Sequence, residues 1–141
     1  ATATVSLFQN GTTKNGTRQL SDPPKVILSP AYNYCHGNQY LVAVFTRVSE
    51  PSVRQSFRDT YGRLGEKYNF TVLFPAGLSE DKNINKAVEE EMRKFGDILQ
   101  TDFIDSYNNL TLKVFDQCYC WFMLKHKCTQ SSVSLVMARI V

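Results

Sequence analysis

The sequence predicts an α/β domain built on a mainly parallel sheet, and three observations carry that reading. Apolar runs of strand length alternate with amphipathic stretches of helical period from Tyr40 onward. Alternation of this kind makes βαβ units, whose strands run parallel. The chain has 141 residues, 43% hydrophobic and 21% charged, which is enough length and an ordinary composition for one domain with a core.

The elements follow in order. Residues 1–35 carry Gly, Thr, Asn and the Pro23-Pro24 pair with little apolar periodicity, the composition of a stem or linker, so the folded domain is set at 36–141. The opening "ATATVSLFQN" lacks the basic and long apolar regions of a signal peptide. The longest apolar runs are strand-sized, so any membrane anchor is expected upstream of the chain. "YLVAVF" (Tyr40–Phe45) reads as a buried strand. A helix follows, with Ser49 or Ser52 as N-cap and Pro51 near its first turn. Val53, Phe57 and Tyr61 recur every four residues on one face, Arg54 and Arg58 stack on a neighbouring one, and Gly62 closes the helix.

"NFTVLF" (Asn69–Phe74) is a second strand, ended by Pro75-Ala-Gly77. From Asn83 to Phe95 an amphipathic helix groups Ile84, Ala87, Val88, Met92 and Phe95, with Gly96 as C-cap. "DILQ" (Asp97–Gln100) is a short third strand. Ser106 or Asn108 then caps a long helix to about Lys125, with Leu110, Val114, Cys118 and Trp121 facing one way and Phe115, Tyr119 and Phe122 covering more of the circumference, so the helix is expected to be substantially buried. "SVSLVMARIV" is a fourth strand.

Charge and cysteine usage narrow the class. The net charge is +3 with the basic residues dispersed, so no nucleic-acid groove is expected. Four Asn-x-Thr acceptors occur, at Asn10, Asn15, Asn69 and Asn109, against roughly one or two by chance, which points to a lumenal or secreted chain. Cys35, Cys118, Cys120 and Cys128 suggest disulfides of open connectivity. Cys118 and Cys120 should not pair with each other, since two residues turn about 200° on a helix. The spacing of His126 and these cysteines does not match a structural zinc site.

Ligands of parallel sheets sit beyond the carboxyl ends of the strands. The first strand leads into Arg54 and Arg58, and the third into Asp102 and Asp105, so both charged clusters are expected on one rim. Guanidinium forks there suit phosphate oxygens.

Two segments resemble a known family. "RQSFRDTYG" (Arg54–Gly62) is similar to R-x-x-(I/F)-R-x-T-W-G, with Tyr61 in place of Trp. "FGDILQTDFIDSYNNLTLK" (Phe95–Lys113) is similar to (Y/F)-G-D-I-(I/L)-x-x-D-F-x-D-(S/T)-Y-x-N-L-T-x-K, a long and specific pattern. Both are signatures of glycosyltransferase family 31, the β-1,3-galactosyl- and β-1,3-N-acetylglucosaminyltransferases. The resemblance runs from about Tyr40 to Val141, the nucleotide-binding half of that catalytic domain. It implies a partial GT-A fold, incomplete at its C-terminal side, and a hexosyltransferase in the Golgi lumen that moves a sugar from a UDP-sugar to a glycan acceptor. It also implies that Arg54, Arg58, Asp105 and Lys113 face the nucleotide, with Asp102 orienting the loop and Phe103 and Tyr107 as core or wall.

After the long helix the family carries a strand ending in an acidic triplet whose D-x-D carboxylates bind Mn²⁺. Here Arg139-Ile140-Val141 stands where that triplet begins. The D-x-D ligands and the catalytic base are thus expected to be absent, leaving either a truncated transferase or an inactive nucleotide-sugar-binding partner of one. An open sheet edge and self-association are expected with it.

Overall fold

The computed structural model describes residues 22–31, 34–35, 37–125 and 134–139, with residues 121–125 and 139 described by backbone alone. Asn10, Asn15, His36, His126 and Cys128 lie outside the described residues.

Strand β1 is Val26–Leu28 and β2 is Tyr40–Phe45. Helix α1 spans Pro51–Asp59. A 3-10 turn at Tyr61–Leu64 and the short helix α2, Gly65–Tyr68, lead into β3, Phe70–Leu78. Helix α3 is Lys82–Phe95 and β4 is Ile98–Ile104. A 3-10 turn at Tyr107–Asn109 opens α4, Leu110–Lys125, and β5 is Ser134–Arg139. The sheet runs β1-β4-β3-β2-β5, parallel throughout except for β1, which pairs antiparallel with β4.

Two apolar clusters define three layers. On one face Val44, Val48, Phe74, Val88 and Ile98 pack with Phe57, Ile84 and Met92, so α1 and α3 cover it. On the other, Leu41, Leu73, Leu99 and Cys120 pack with Tyr34 and Tyr119, so α4 covers it. Neighbouring residues of one strand, such as Leu73 and Phe74, serve opposite faces, as a pleated strand requires.

Several boundaries differ from the sequence-based expectation. The domain begins earlier than residue 36: β1 belongs to the sheet, and Lys25 N donates to Asp102 Oδ1 at 3.0 Å. Cys35 is buried and disulfide-bonded, and its carbonyl accepts from Asn38 N and Thr71 Oγ1. Glu50, not Ser49 or Ser52, is the α1 N-cap, and it makes no side-chain cap bond. That end relies on Pro51, whose missing N–H is an orphan donor in any case. Thr60 is the C-cap, with Gly62 inside the next turn.

Strand β3 runs on through Pro75 to Leu78. Its pairing with β2 stops at Ala43↔Leu73, so the proline falls past that ladder and removes no bond from it. Strand β4 likewise extends beyond Gln100 to Ile104. Gly77 is required where these strands close up, since a Cβ there would lie 2.6 Å from Phe103 O. The α3 ends match the pattern: Asp81 accepts from Asn83 N at 2.8 Å, and Gly96 closes the helix at φ 68°.

Helix α4 is substantially buried, as expected, through Leu112, Phe115 and Cys120, but two residues of the face read as apolar, Val114 and Cys118, are exposed, while Lys113, Asp116 and Gln117 are buried against the sheet. The Thr101 hydroxyl donates to Asp116 Oδ2 at 2.8 Å and meets part of the polar demand that this creates.

Candidate functional site

From β2 the chain moves outward to β3 and β4, then returns to the far side of β2 as β5. The order reverses between β2 and β5, the kind of position where open α/β sheets bind ligands. Two loops leave the carboxyl edge beside it: residues 46–50 after β2, and residues 105–107 after β4. Between them lies an open cavity of about 540 Å³, lined among others by Thr46, Arg47, Ser49, Asp105, Tyr107 and Lys113.

Lys113 sits on the first turns of α4 and reaches across the edge. Its Nζ donates to Thr46 O and to both oxygens of Asp105, at 3.1 and 2.8 Å. Burial, the largest influence, draws the Lys113 amine below its ordinary range, Asp105 opposes this, and the Arg54 charge adds to it. Asp105 Oδ2 also accepts from Gly77 N at 3.3 Å, so the close approach at Gly77 seats this carboxylate. Asp105 and Lys113 therefore stand together on the rim.

The arginines are placed differently. Arg54 is 2% exposed. It forms a two-point bridge to Glu91 of α3, at 2.9 and 2.7 Å, and its remaining donors reach Thr46 Oγ1, Arg47 O and Val48 O. It lies beneath the rim loop rather than in the cavity. Arg58, one turn further down α1, binds Asp97 through Nε at 2.7 Å and Nη2 at 2.8 Å, and also binds Glu91. Its guanidinium stacks over Phe95 at 3.9 Å and Phe74 at 4.8 Å.

Asp97 precedes β4 and Asp105 follows it, so a strand of seven residues, about 23 Å, separates them. The expectation that Arg58 and the aspartates share one rim is thus corrected. An i, i+4 spacing puts two side chains on one helix face but carries the second a turn away from the edge. Asp102 is also off the rim, bonded to Lys25 at the β1 edge.

Glu91 holds both arginines. Burial would raise its carboxyl, but hydrogen bonds and charge from Arg54 and Arg58 outweigh this and leave it below its ordinary value. Arg58 shows the converse: burial would lower it, and Asp97 with Glu91 carries it above its usual range.

The rim offers groups that the sequence reading passed over. Arg47 is 82% exposed in its side chain, with a loose 3.6 Å contact to Glu50, and Tyr107 is 85% exposed at the cavity mouth. The signal for Arg47 was its position two residues beyond the end of β2. For Mn²⁺ the residues do not fit: among the described residues no three His, Cys, Asp or Glu converge, and Asp105 is engaged by Lys113. No described helix is long and apolar enough to cross a membrane.

The mostly parallel α/β layer, helices on both faces, is a partial Rossmann-like fold with a polar cavity at the edge where such sheets bind ligands. The Galactosyltransferase family model matches residues 52–132, more than half of the chain, which belongs to that family. The chain is 38% identical over 97 residues to UDP-GalNAc:beta-1,3-N-acetylgalactosaminyltransferase 1 of Mus musculus, covering 64% of this chain and 29% of that protein. It is 39% identical over 87 residues to the Homo sapiens protein of the same name, covering 57% and 26%. With Beta-1,3-galactosyltransferase 1 of Mus musculus it shares 40% over 78 residues, covering 52% and 23%. The matches thus span less than a third of each relative's length.

Proposed function

We propose that the rim cavity is the donor site of a β-1,3-hexosyltransferase, binding the nucleotide of a UDP-sugar for transfer to a glycan acceptor. The observation that carries this reading is the cavity itself: it lies at the carboxyl edge, beside the reversal of strand order, in a chain of the Galactosyltransferase family. Asp105 supplies carboxylate oxygens for the uridine moiety, and Arg47 supplies an accessible guanidinium for the diphosphate. Tyr107 supplies a ring on which a base can stack. Lys113 lends positive charge from below the loop. Arg54 and Arg58 do not meet the nucleotide in this assignment.

The transfer step needs more than these residues provide, because no described carboxylate set suits a divalent cation and Asp105 is already paired. Donor binding without transfer is the activity proposed for this stretch of chain, and Mn²⁺ has no proposed ligands in it. A lumenal, Golgi setting fits the disulfide at Cys35 and the exposed acceptor Asn69, held at φ 58° in the bend before β3.

Calorimetric titration with UDP tests the reading. Binding is expected, and Arg47→Ala or Tyr107→Ala should weaken it about tenfold or more with the melting transition unchanged. A chain that folds yet shows no UDP binding at millimolar nucleotide would overturn it.

A further inference from the structure

Three consecutive carbonyls of the rim loop are each taken by a buried cation. Thr46 O accepts from Lys113 Nζ, Arg47 O from Arg54 Nη1 at 2.8 Å, and Val48 O from Arg54 Nη2 at 3.2 Å. The two cations arrive from opposite faces of the sheet, Arg54 from α1 and Lys113 from α4. Each is held in turn by a carboxylate from a further element: Glu91 of α3 binds Arg54, and Asp105 after β4 binds Lys113.

We propose that Arg54 and Lys113 are positioning residues that clamp the Thr46–Val48 loop from both faces and so preorganise the cavity wall. In a planar trans peptide the N–H points opposite to the C=O. Drawing the carbonyls of Thr46, Arg47 and Val48 down onto cations therefore turns the amides of Arg47, Val48 and Ser49 away from them. Charge-assisted bonds to a carbonyl are the stronger kind, and a guanidinium fork reaches two adjacent carbonyls and a carboxylate at once. A lysine at position 54 can keep the charge beside Glu91 but cannot span all three partners. The loop is thereby fixed before any ligand arrives, which reduces the ordering that binding would otherwise require.

The clamp rests on the proposed donor site only for its effect on binding, and its first test needs no ligand. Amide exchange is followed in the ligand-free chain for Arg54→Lys and Glu91→Gln. If Arg54 merely ties α1 to α3, both variants should loosen the helices alike and leave the Glu50 amide, bonded to Arg47 O at 3.1 Å, no faster than the helices themselves. The clamp predicts that Arg54→Lys alone speeds exchange of the Glu50 amide at least tenfold over the α1 amides. Equal protection of that amide in Arg54→Lys and wild type would overturn it.

Should Arg54→Lys fail to fold, Lys113→Met is read in the same way from the other face. The wild-type chain gives an independent reading: order parameters at Arg47 and Val48 near the rigid-backbone value of about 0.85 support the clamp, and values below about 0.6 overturn it. A UDP titration then separates the two ideas. Faster exchange in the variant with no UDP binding even in wild type sinks the donor-site reading and leaves the clamp standing. Wild-type binding that Arg54→Lys weakens about tenfold supports both.

Discussion

Two charged networks of similar composition do different work in this domain. Between α1 and α3, Arg54, Arg58, Glu91 and Asp97 form a compact set in which the side chains are 2–14% exposed and the bonds run among themselves, to nearby backbone and to the side chains of Thr46 and Gln55. At the carboxyl edge, Lys113 and Asp105 are as deeply set, at 5% and 8%, yet they line a cavity of about 540 Å³. The difference lies in position along the strands rather than in residue type. Arg58, one turn further down α1, meets Asp97 at the amino end of β4, whereas Asp105 directly follows the carboxyl end of that strand and lines the cavity. A charged pair next to a predicted strand is thus a better sign of a site when it falls within a residue or two of the strand end.

The largest expected effect comes from opening the compact network. Glu91→Ala strips one carboxylate from two buried guanidinium groups. Breaking a buried ion pair from one side costs about 3–5 kcal/mol, because the orphaned charge remains out of water. The urea midpoint should fall accordingly. A loss below 1 kcal/mol would mean that water already reaches the arginines and that the contrast between the networks is false. Arg58→Ala belongs to the same class, and its harm should appear in the melting transition rather than in UDP affinity.

How much of this was legible in the sequence depends on what fixed each feature. The strand Tyr40–Phe45 and the helix closed by Gly96 follow from period and capping, both local, and the structure places them as read. Val114 and Cys118 of α4 were misread as part of its inner face because hydrophobic periodicity assumes that polar residues point outward. Here Lys113 and Asp116 point inward, since Thr46, Asp105 and Thr101 lie in place to receive them. Strand β1 was missed because three residues beside a Pro pair have no period, and its place is set by Asp102, 77 residues from Lys25. On the rim, Asp105 and Lys113 lie within the long motif, while Arg47 stands outside both motif segments. Phe95 was grouped on the apolar face of its helix, and the structure leaves it 36% exposed and stacked on Arg58.

The networks also differ in their response to pH. Glu91 titrates below its ordinary value of 4.5 in the folded chain, so the stability it contributes is present above that value and is lost as pH falls through the folded value. Lys113 titrates below its ordinary 10.5 when folded, so the unfolded chain holds its proton longer and stability rises with pH across that interval. Tyr34, held well above 10.0 by burial, reverses the gain: its contribution is complete below 10.0 and declines as pH climbs toward the folded value. Denaturant midpoints against pH should therefore show an acid fall that Glu91→Gln flattens and an alkaline rise that Lys113→Met removes. An unchanged alkaline limb in Lys113→Met would place that amine in water and separate it from Asp105.

The smallest effect on stability is expected at the other sheet margin. Strand β5 pairs with β2 on one side, and its Val136 and Met137 are 45% and 52% exposed. No further partner of β5 occurs among the described residues. An apolar edge of this kind is a template for another strand, so self-association is proposed for the chain. Met137→Lys places a charge on that edge and should leave the unfolding free energy within about 0.5 kcal/mol, since the side chain is largely outside the core. In sedimentation velocity the variant should shift toward monomer at concentrations where the wild type associates. If wild type is already monomeric at 100-fold higher concentration than the assay requires, the edge is not an association surface. The exposed Val114 and Cys118 stripe on α4 then becomes the next apolar surface to examine, because it belongs to neither charged network.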